Sequence, residues 1–313
     1  MIWRYAVKRV LQLIPILFGI TLLSYALMQS ASADTVDMMM QKRGMLITPE
    51  NQAVMRHEMG LDQPFILQYF QWLGKIFTGD MGYSYLKNMD VFPLFMKALP
   101  STLLLTLSSM VVTVCISVPL GILSAVRQNK ITDYVIRFFS FIGNALPGFF
   151  VALLLLLVFA LWLGWLPVTG NHGFVSILLP TFTLAIAMSA KYTRQVRATV
   201  LEELNKDYVM GCLARGVKGR TILLANVLKN SMLTIVTLLA LSIGSLLGGT
   251  AIVESIFMWP GVGSLAVDAI GNRDYAIIQV YVIWMAVIYV GINLITDLIY
   301  HFLDPRIRMQ GEG

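Results

Sequence analysis

The chain has 313 residues, of which 57% are hydrophobic and only 13% charged, with a net charge of +6. A soluble domain carries about 25% charged residues, so the composition argues against a cytosolic globular enzyme and for a polytopic membrane protein. Two cysteines cannot make a disulfide scaffold. The basic excess first poses the question of which side of a bilayer it occupies, before nucleic acid is invoked.

A helix needs about 20 mostly apolar residues to cross the hydrocarbon core. Lys, Arg, Asp and Glu are absent from Val10–Ala33, Pro100–Val126, Phe138–Ala190, Ser231–Val253 and Tyr275–Thr296. The third run is too long for one crossing, and the turn-rich stretch Gly164–Gly173 divides it. Six spans are expected, at 10–29, 101–125, 139–163, 177–193, 232–253 and 277–301. The first resembles a cleavable signal, with Ala31-Ser32-Ala33 after it. Its apolar run exceeds the roughly 7–15 residues of a signal core, so an uncleaved span is expected.

Residues 30–100 form the first soluble piece, an outer helical lobe. Periodic apolar positions predict short amphipathic helices at Pro49–Gly60 and Phe65–Phe77, with Asp62-Gln63-Pro64 as a helix entry. Nine of the 18 methionines fall here: Met38, Met39, Met40, Met45, Met55, Met59, Met81, Met89 and Met96. Two readings stand. One is a soft-metal relay with His57 between Met55 and Met59; the other is packing of adaptable side chains between short helices.

Span 3 carries Asn144 and Pro147, and span 6 carries Asn293. A mid-span proline frees a carbonyl that must face a cavity or find a neighbour. These residues are therefore candidates for the pathway wall, and a simple kink is the competing reading. Asp297 is the clear ionisable residue of the spans. It reads as snorkelling or pairing near Asp304–Arg306 rather than as a proton relay.

The second soluble piece, 194–229, lies between spans 4 and 5. Arg194–Leu204 continues span 4 as a charged helix. Asn205-Lys206-Asp207 breaks it, Tyr208–Arg215 forms a short helix stopped at Gly216, and Lys218-Gly219-Arg220 turns the chain toward span 5. Such a protrusion needs a partner, and the small residues Gly211 and Ala214 allow close approach. A solvated basic loop under the headgroups is the alternative.

Sixteen of the 23 Lys and Arg fall in 1–9, 127–137, 191–229 and 306–308. The positive-inside rule then makes both termini cytoplasmic. Catalytic sets are missing. Gly211–Lys218 fails as a phosphate loop because Val217 separates the second Gly from Lys218, and His57–Leu61 fails as a zinc motif because its last position is Leu. The residues thus describe a six-span chain with one outer lobe, one inner protrusion and no energy source. A transporter subunit powered by a partner fits. A stand-alone channel or secondary carrier, and a non-transporting scaffold or signalling subunit, are the alternatives.

At this point the chain resembles the permease subunits of binding-protein-dependent ABC importers, in the dipeptide/oligopeptide/nickel subfamily. The resemblance rests on Gly60-Leu61-Asp62-Gln63-Pro64, Gly79-Asp80-Met81-Gly82-Tyr83-Ser84, Gly164-Trp165-Leu166-Pro167 and Leu178-Leu179-Pro180. It continues through Gly248-Gly249-Thr250, Val253-Glu254, Ile256-Phe257 and Trp259-Pro260-Gly261-Val262-Gly263 to Arg273-Asp274-Tyr275 and Leu303-Asp304-Pro305-Arg306.

The resemblance implies an all-α, type I importer permease fold in the inner (plasma) membrane. It divides the chain into 1–29 (N-terminus and first span), 30–100 (outer lobe), 101–305 (five-helix core with coupling loop 194–229) and 306–313 (cytoplasmic tail). It implies a homologous second permease, two ATPases that bind ATP and Mg, and an external solute-binding protein. This chain would be non-catalytic and hold no cofactor or metal. The resemblance places ATPase coupling at Asp207, Tyr208, Gly211, Ala214, Arg215 and Gly216, and an outer gate or binding-protein side at Glu254, Trp259, Pro260 and Gly261. Two positions depart from the family: Met210-Gly211-Cys212 replaces Glu-Ala-Ala, and Thr234 stands where relatives commonly have proline. Peptides are the broad substrate expectation, with nickel or a metal chelate as competitor.

Overall fold

A computed structural model describes residues 11, 14–27, 36, 40, 44, 46, 48–58, 62–84, 86–168 and 173–303, with side chains near the C-terminus through Thr296. The side chains of Asp297 and His301, and the motif residues Gly60, Leu61 and Asp304–Arg306, lie outside the described set, as do Met38, Met39, Met45 and Met59. So do both ends of the first expected span and the tail 306–313.

Regular secondary structure among the described residues is helical apart from one two-stranded ribbon. The apolar helix α1 (Ile14–Leu27) is followed by α2 (Pro49–Glu58) and α3 (Phe65–Phe77). Next come β1 (Tyr83–Ser84), β2 (Met89–Asp90) and α4 (Val91–Val126). Then follow α5 (Ile131–Ala145), α6 (Gly148–Leu155, continuing as a π-helix over Leu156–Trp162) and, after a 3-10 turn, α7 (Leu178–Leu204). The short α8 (Asp207–Ala214) precedes α9 (Gly219–Thr221), which runs without interruption through a π segment (Ile222–Val227) into α10 (Leu228–Ile256). Helices α11 (Val262–Gly271) and α12 (Tyr275–Leu303) complete the chain. Antiparallel pairing sets Tyr83 against Asp90 and Ser84 against Met89, so the outer lobe is not wholly helical as the sequence suggested.

Among the described residues, four helical stretches are long and apolar enough to cross a membrane: Val91–Val126, Val175–Leu204, Gly219–Gly244 and Tyr275–Thr296. A fifth exists if α5 and α6 are one broken crossing, since they meet at 102°. The expected span 139–163 is thus bent sharply within its length, at the α5–α6 break. Pro147 is the cause. It has no amide hydrogen, its ring would clash with the carbonyl four residues back, and it drives the preceding residue out of helical geometry. Leu146 is accordingly extended (φ −77°, ψ 130°). Pro147 starts the next helix, its carbonyl accepting from the amides of Phe150 (3.0 Å) and Val151 (3.2 Å).

The chain divides into two compact units, 1–101 with 260–290 and 102–259 with 291–313. In the first, Val91 and Phe95 pack with Val262, Ala269, Ile277 and Val280. The ribbon is clamped to α11 and α12. Lys87 Nζ lies 2.7 Å from Asp268 Oδ2, Ser84 Oγ donates to Asp274, and Trp284 Nε1 donates to Met81 Sδ at 3.1 Å. Met40 and Met55 pack with Val36.

In the second unit α7 is the central element, contacting α5, α6 and α10. Small residues permit this closeness. A Cβ at Gly121 on α4 would sit 2.6 Å from Val196 Cβ, and one at Gly143 on α5 would sit 3.0 Å from Ala190 Cβ. Along α4, Thr102, Thr106, Ser109, Thr113 and Ser117 are buried at roughly helical spacing. Three of their hydroxyls bond the carbonyl four residues back. The hydroxyls of Thr106, Ser109 and Thr113 are thereby satisfied within the helix, whereas the buried Ser117 hydroxyl has no partner among the described residues.

Candidate functional site

Helix α8 protrudes between two long helices, and its ends are fixed by backbone chemistry. Asn205 terminates α7, and the extended Lys206 (φ −76°, ψ 148°) opens α8. At the other end Gly216 takes φ +75°, a conformation only glycine adopts without strain. The Gly216 amide bonds the Leu213 carbonyl at 2.9 Å, and the Val217 amide bonds the Cys212 carbonyl at 3.1 Å. This is the Schellman closure of a helix C-terminus.

The two faces of α8 differ. Val209 and Cys212, three apart, are buried in a cluster with Tyr192, Val196, Val200, Ile222 and Val227. Asp207, Gly211, Ala214, Arg215 and Gly216 are exposed, and so are two large apolar side chains, Met210 (70%) and Leu213 (51%). Among the described residues, nothing outside its own helix backbone lies within 4 Å of a Cβ at Gly211. The exposed side thus carries a protruding apolar pair, Met210 and Leu213, beside the charged Asp207 and Arg215, and such a pair can seat in a groove.

Tyr208 has a different position from the other coupling candidates. Its hydroxyl donates to Glu203 Oε2 at 3.0 Å and accepts from Asn230 Nδ2 at 3.4 Å. Lys206 Nζ donates to Glu203 Oε1. Burial pushes the Tyr208 hydroxyl up from its usual value, and the Glu203 hydrogen bond raises the Lys206 ammonium above its own. Tyr208 therefore braces α8 between α7 and α10. Arg215 turns back on the helix, with Nε donating to the Gly211 carbonyl at 3.3 Å and Nη2 lying 3.5 Å from Cys212 Sγ.

A second brace was not singled out in the sequence. Asp133, fully buried, accepts from Arg197 Nε and Nη2, both at 2.8 Å. It also accepts from Ser124 Oγ at 2.5 Å and the Asn129 amide at 3.0 Å. One carboxylate thus ties α4, the following turn, α5 and α7. In the sequence Arg197 is one of the basic residues of 191–229 that set orientation. Asp133 in the first turn of a helix was the available signal, but its partner is 64 residues away. Beside this brace an open cleft of about 650 Å³ is lined by Tyr134, Arg137, Phe138, Phe141, Arg194 and Arg197.

The pathway candidates Asn144 and Pro147 are exposed at the α5–α6 break, while Asn293 on α12 is half-buried. No hydrogen bond joins Asn144 to Asn293 among the described residues. Of the outer-gate candidates, Glu254 is fully buried and accepts from Thr102 Oγ1 at 2.7 Å. Trp259 packs with Leu105, Val253 and Phe257, and its amide bonds the Glu254 carbonyl at 2.8 Å. Pro260 is exposed. The Gly261 amide is capped by Ser264 Oγ at 3.2 Å.

The family described as binding-protein-dependent transport system inner membrane component matches residues 117–309, and the N-terminal component of the same system matches residues 1–106. The chain belongs to this family. It is similar to an oligopeptide transport system permease protein, AppB, of Bacillus subtilis: 40% identical, over 97% of this chain and 98% of that one. It is 33% identical to a glutathione transport system permease protein, GsiC, of Escherichia coli, over 97% and 98%. It is 30% identical to a di/tripeptide transport system permease protein, DppB, of Pseudomonas aeruginosa, over 98% and 99%. The inward-facing MetNI methionine ABC transporter shares the fold, with a TM-score of 0.56 at 16% identity, over 68% of this chain and 97% of that chain. This permease is accordingly a non-catalytic, multi-pass inner-membrane component of a binding-protein-dependent ABC importer. The family implies ATPase and binding-protein partners.

Proposed function

We propose that this permease forms half of the translocation pathway of a peptide importer and is driven through α8. The carrying observation is the exposed Met210–Leu213 face on a helix whose other face, start and stop are fixed by the protein's own packing. The chain would cross the membrane six times, with residues 10–29 as the first span, the α5–α6 pair as a broken third, and both termini cytoplasmic. Residues 30–100 would form the outer lobe, 101–305 the five-helix core and 306–313 the tail. The loop 194–229 then faces the cytoplasm and presents α8 to one of two ATPases, which bind ATP and Mg. A homologous second permease supplies the other half of the pathway. Asn144, Pro147 and Asn293 are proposed for its wall, and Glu254, Trp259, Pro260 and Gly261 for the outer gate.

ATP-driven closure of the ATPases would move α8 and open the cavity outward, where the binding protein releases its solute. Both partners then bias one two-state equilibrium, as coupling between distant sites requires. The peptide reading is supported by relatives named for oligopeptides, di/tripeptides and glutathione. None of these three is named for nickel, and His57 Nδ1 is engaged with Asp62 Oδ2 at 2.7 Å.

The test is Met210→Asp with Leu213→Asp in the reconstituted importer. Both side chains are exposed, so insertion and folding are expected to persist. ATPase docking should weaken about ten-fold or more, a cost of about 1.4 kcal/mol, and binding-protein-stimulated ATP hydrolysis should fall with it. Undiminished stimulation in the folded double variant would overturn the assignment.

A further inference from the structure

Helix α3 has more apolar surface than the protein covers. Between Phe65 and Phe77 the sole charged residue is Lys75. One face lies against α1: Tyr69 Oη and Thr21 Oγ1 are 2.9 Å apart in a buried hydrogen bond, and the Tyr69 ring meets Phe18 edge-on at 5.7 Å. Tyr25 contacts Phe65 at 5.6 Å and Trp72 at 5.2 Å, and its hydroxyl donates to Gln68 at 3.2 Å. A second face carries Ile66, Leu67, Phe70 and Phe77, all exposed. At 100° per residue, Gln71 and Lys75 share only a narrow strip between these two faces. A helix apolar nearly all round is buried in protein or in lipid.

The contacts with α1 give the depth. At about 1.5 Å per residue, Thr21 lies roughly 9 Å along the helix from Leu27. Each leaflet contributes about 15 Å of hydrocarbon. We infer that α3 is inserted among the acyl chains of the outer leaflet, with Ile66, Leu67, Phe70 and Phe77 facing lipid. The polar groups on its α1 face suit that depth, because hydrocarbon offers no water and they pair internally. Gln68 Nε2 also donates to the Gln63 carbonyl at 2.6 Å, closing the entry of the helix. The Lys75 stem can carry its ammonium to the headgroups. The outer lobe is thereby anchored in the bilayer by a helix that does not cross it.

This inference rests on residues 10–29 being a span, and the experiment separates the two. In a Cys115→Ala/Cys212→Ala background, single spin labels are placed at Leu67→Cys, Phe70→Cys and Phe77→Cys. Leu23→Cys serves as the α1 reference and Asp80→Cys as the aqueous one. The assembled importer is studied in phospholipid nanodiscs, reading accessibility to oxygen and to a water-soluble nickel chelate. The expected result is an oxygen-to-nickel ratio at 67 and 70 several-fold above that at 80 and close to that at 23. Aqueous values at 67 and 70 with a lipid value at 23 overturn the insertion alone. Low accessibility to both probes at 67 and 70 also overturns it, because a protein then covers the face. An aqueous value at 23 overturns the span reading and the insertion with it.

Discussion

Arg197 holds Asp133 through two parallel hydrogen bonds of 2.8 Å, from Nε to Oδ1 and from Nη2 to Oδ2. The fork geometry suits a carboxylate better than an ammonium could. The pair matters because α7 leads directly into α8. Whatever orients α7 also sets where the exposed face of α8 points.

Asp133→Ala should destabilise the folded permease by about 3 kcal/mol, the scale for removing one partner of a buried ion pair. The double variant Asp133→Ala/Arg197→Met should recover much of that loss, since it removes the orphaned charge. Thermal unfolding in detergent, compared across the single and double variants, measures it. Equal stability of Asp133→Ala and the unaltered protein would mean that the pair is not formed.

Gly216→Ala and Gly211→Ala should differ in sign. Alanine at Gly216 must adopt φ +75°, at a cost of about 1 kcal/mol, and should unwind the last turn of α8. Alanine at Gly211, in a helix interior with open space around it, should raise the chain's own stability by up to about 1 kcal/mol. Amide exchange across 207–217 would register both changes. Loss of ATPase stimulation in the Gly211 variant, despite a firmer helix, would place that position inside the docked contact.

The exposed His57–Asp62 pair gives a pH signature. Its hydrogen bond and charge attraction raise the histidine above its usual 6.5 and lower the carboxyl below its usual 3.8. The histidine's contribution is complete below pH about 6.5 and is lost as pH rises through its raised value. The carboxyl's contribution is present above its unfolded value and is lost as pH falls through its lowered one. Acylation of neutral His57 by diethyl pyrocarbonate should therefore reach half-maximum above pH 6.5, and Asp62→Asn should return it toward 6.5. High salt should weaken the effect because the pair is solvent-exposed. The same midpoint with and without Asp62 would show that the contact does not form in solution.

The placement of α8 was legible to within a residue, because local chemistry writes it. Asn205-Lys206-Asp207 ends one helix and starts another, and a glycine after Arg215 closes it. The division of its residues into roles was not legible. Tyr208 and Gly211 are three apart and look equally available, yet Tyr208 is held by Glu203 and Asn230 while Gly211 is open. At Pro147 the sequence offers two readings, a pathway wall or a simple kink. Its 102° bend depends on how α5 and α6 each pack on α7.

The sequence alone determined that the chain belongs in a membrane, where the apolar stretches begin and end, and that a charged protrusion separates two of them. Runs without Lys, Arg, Asp or Glu are a property of composition along the chain, and transfer into hydrocarbon acts on each run separately. Only the tertiary structure decided the pairs distant in sequence: Asp133 with Arg197, Glu254 with Thr102, Tyr69 with Thr21. Each is a polar contact that low-dielectric surroundings make obligatory once the helices meet. Which helices meet depends on where small residues such as Gly121 and Gly143 let backbones approach, and a single sequence does not display that pairing.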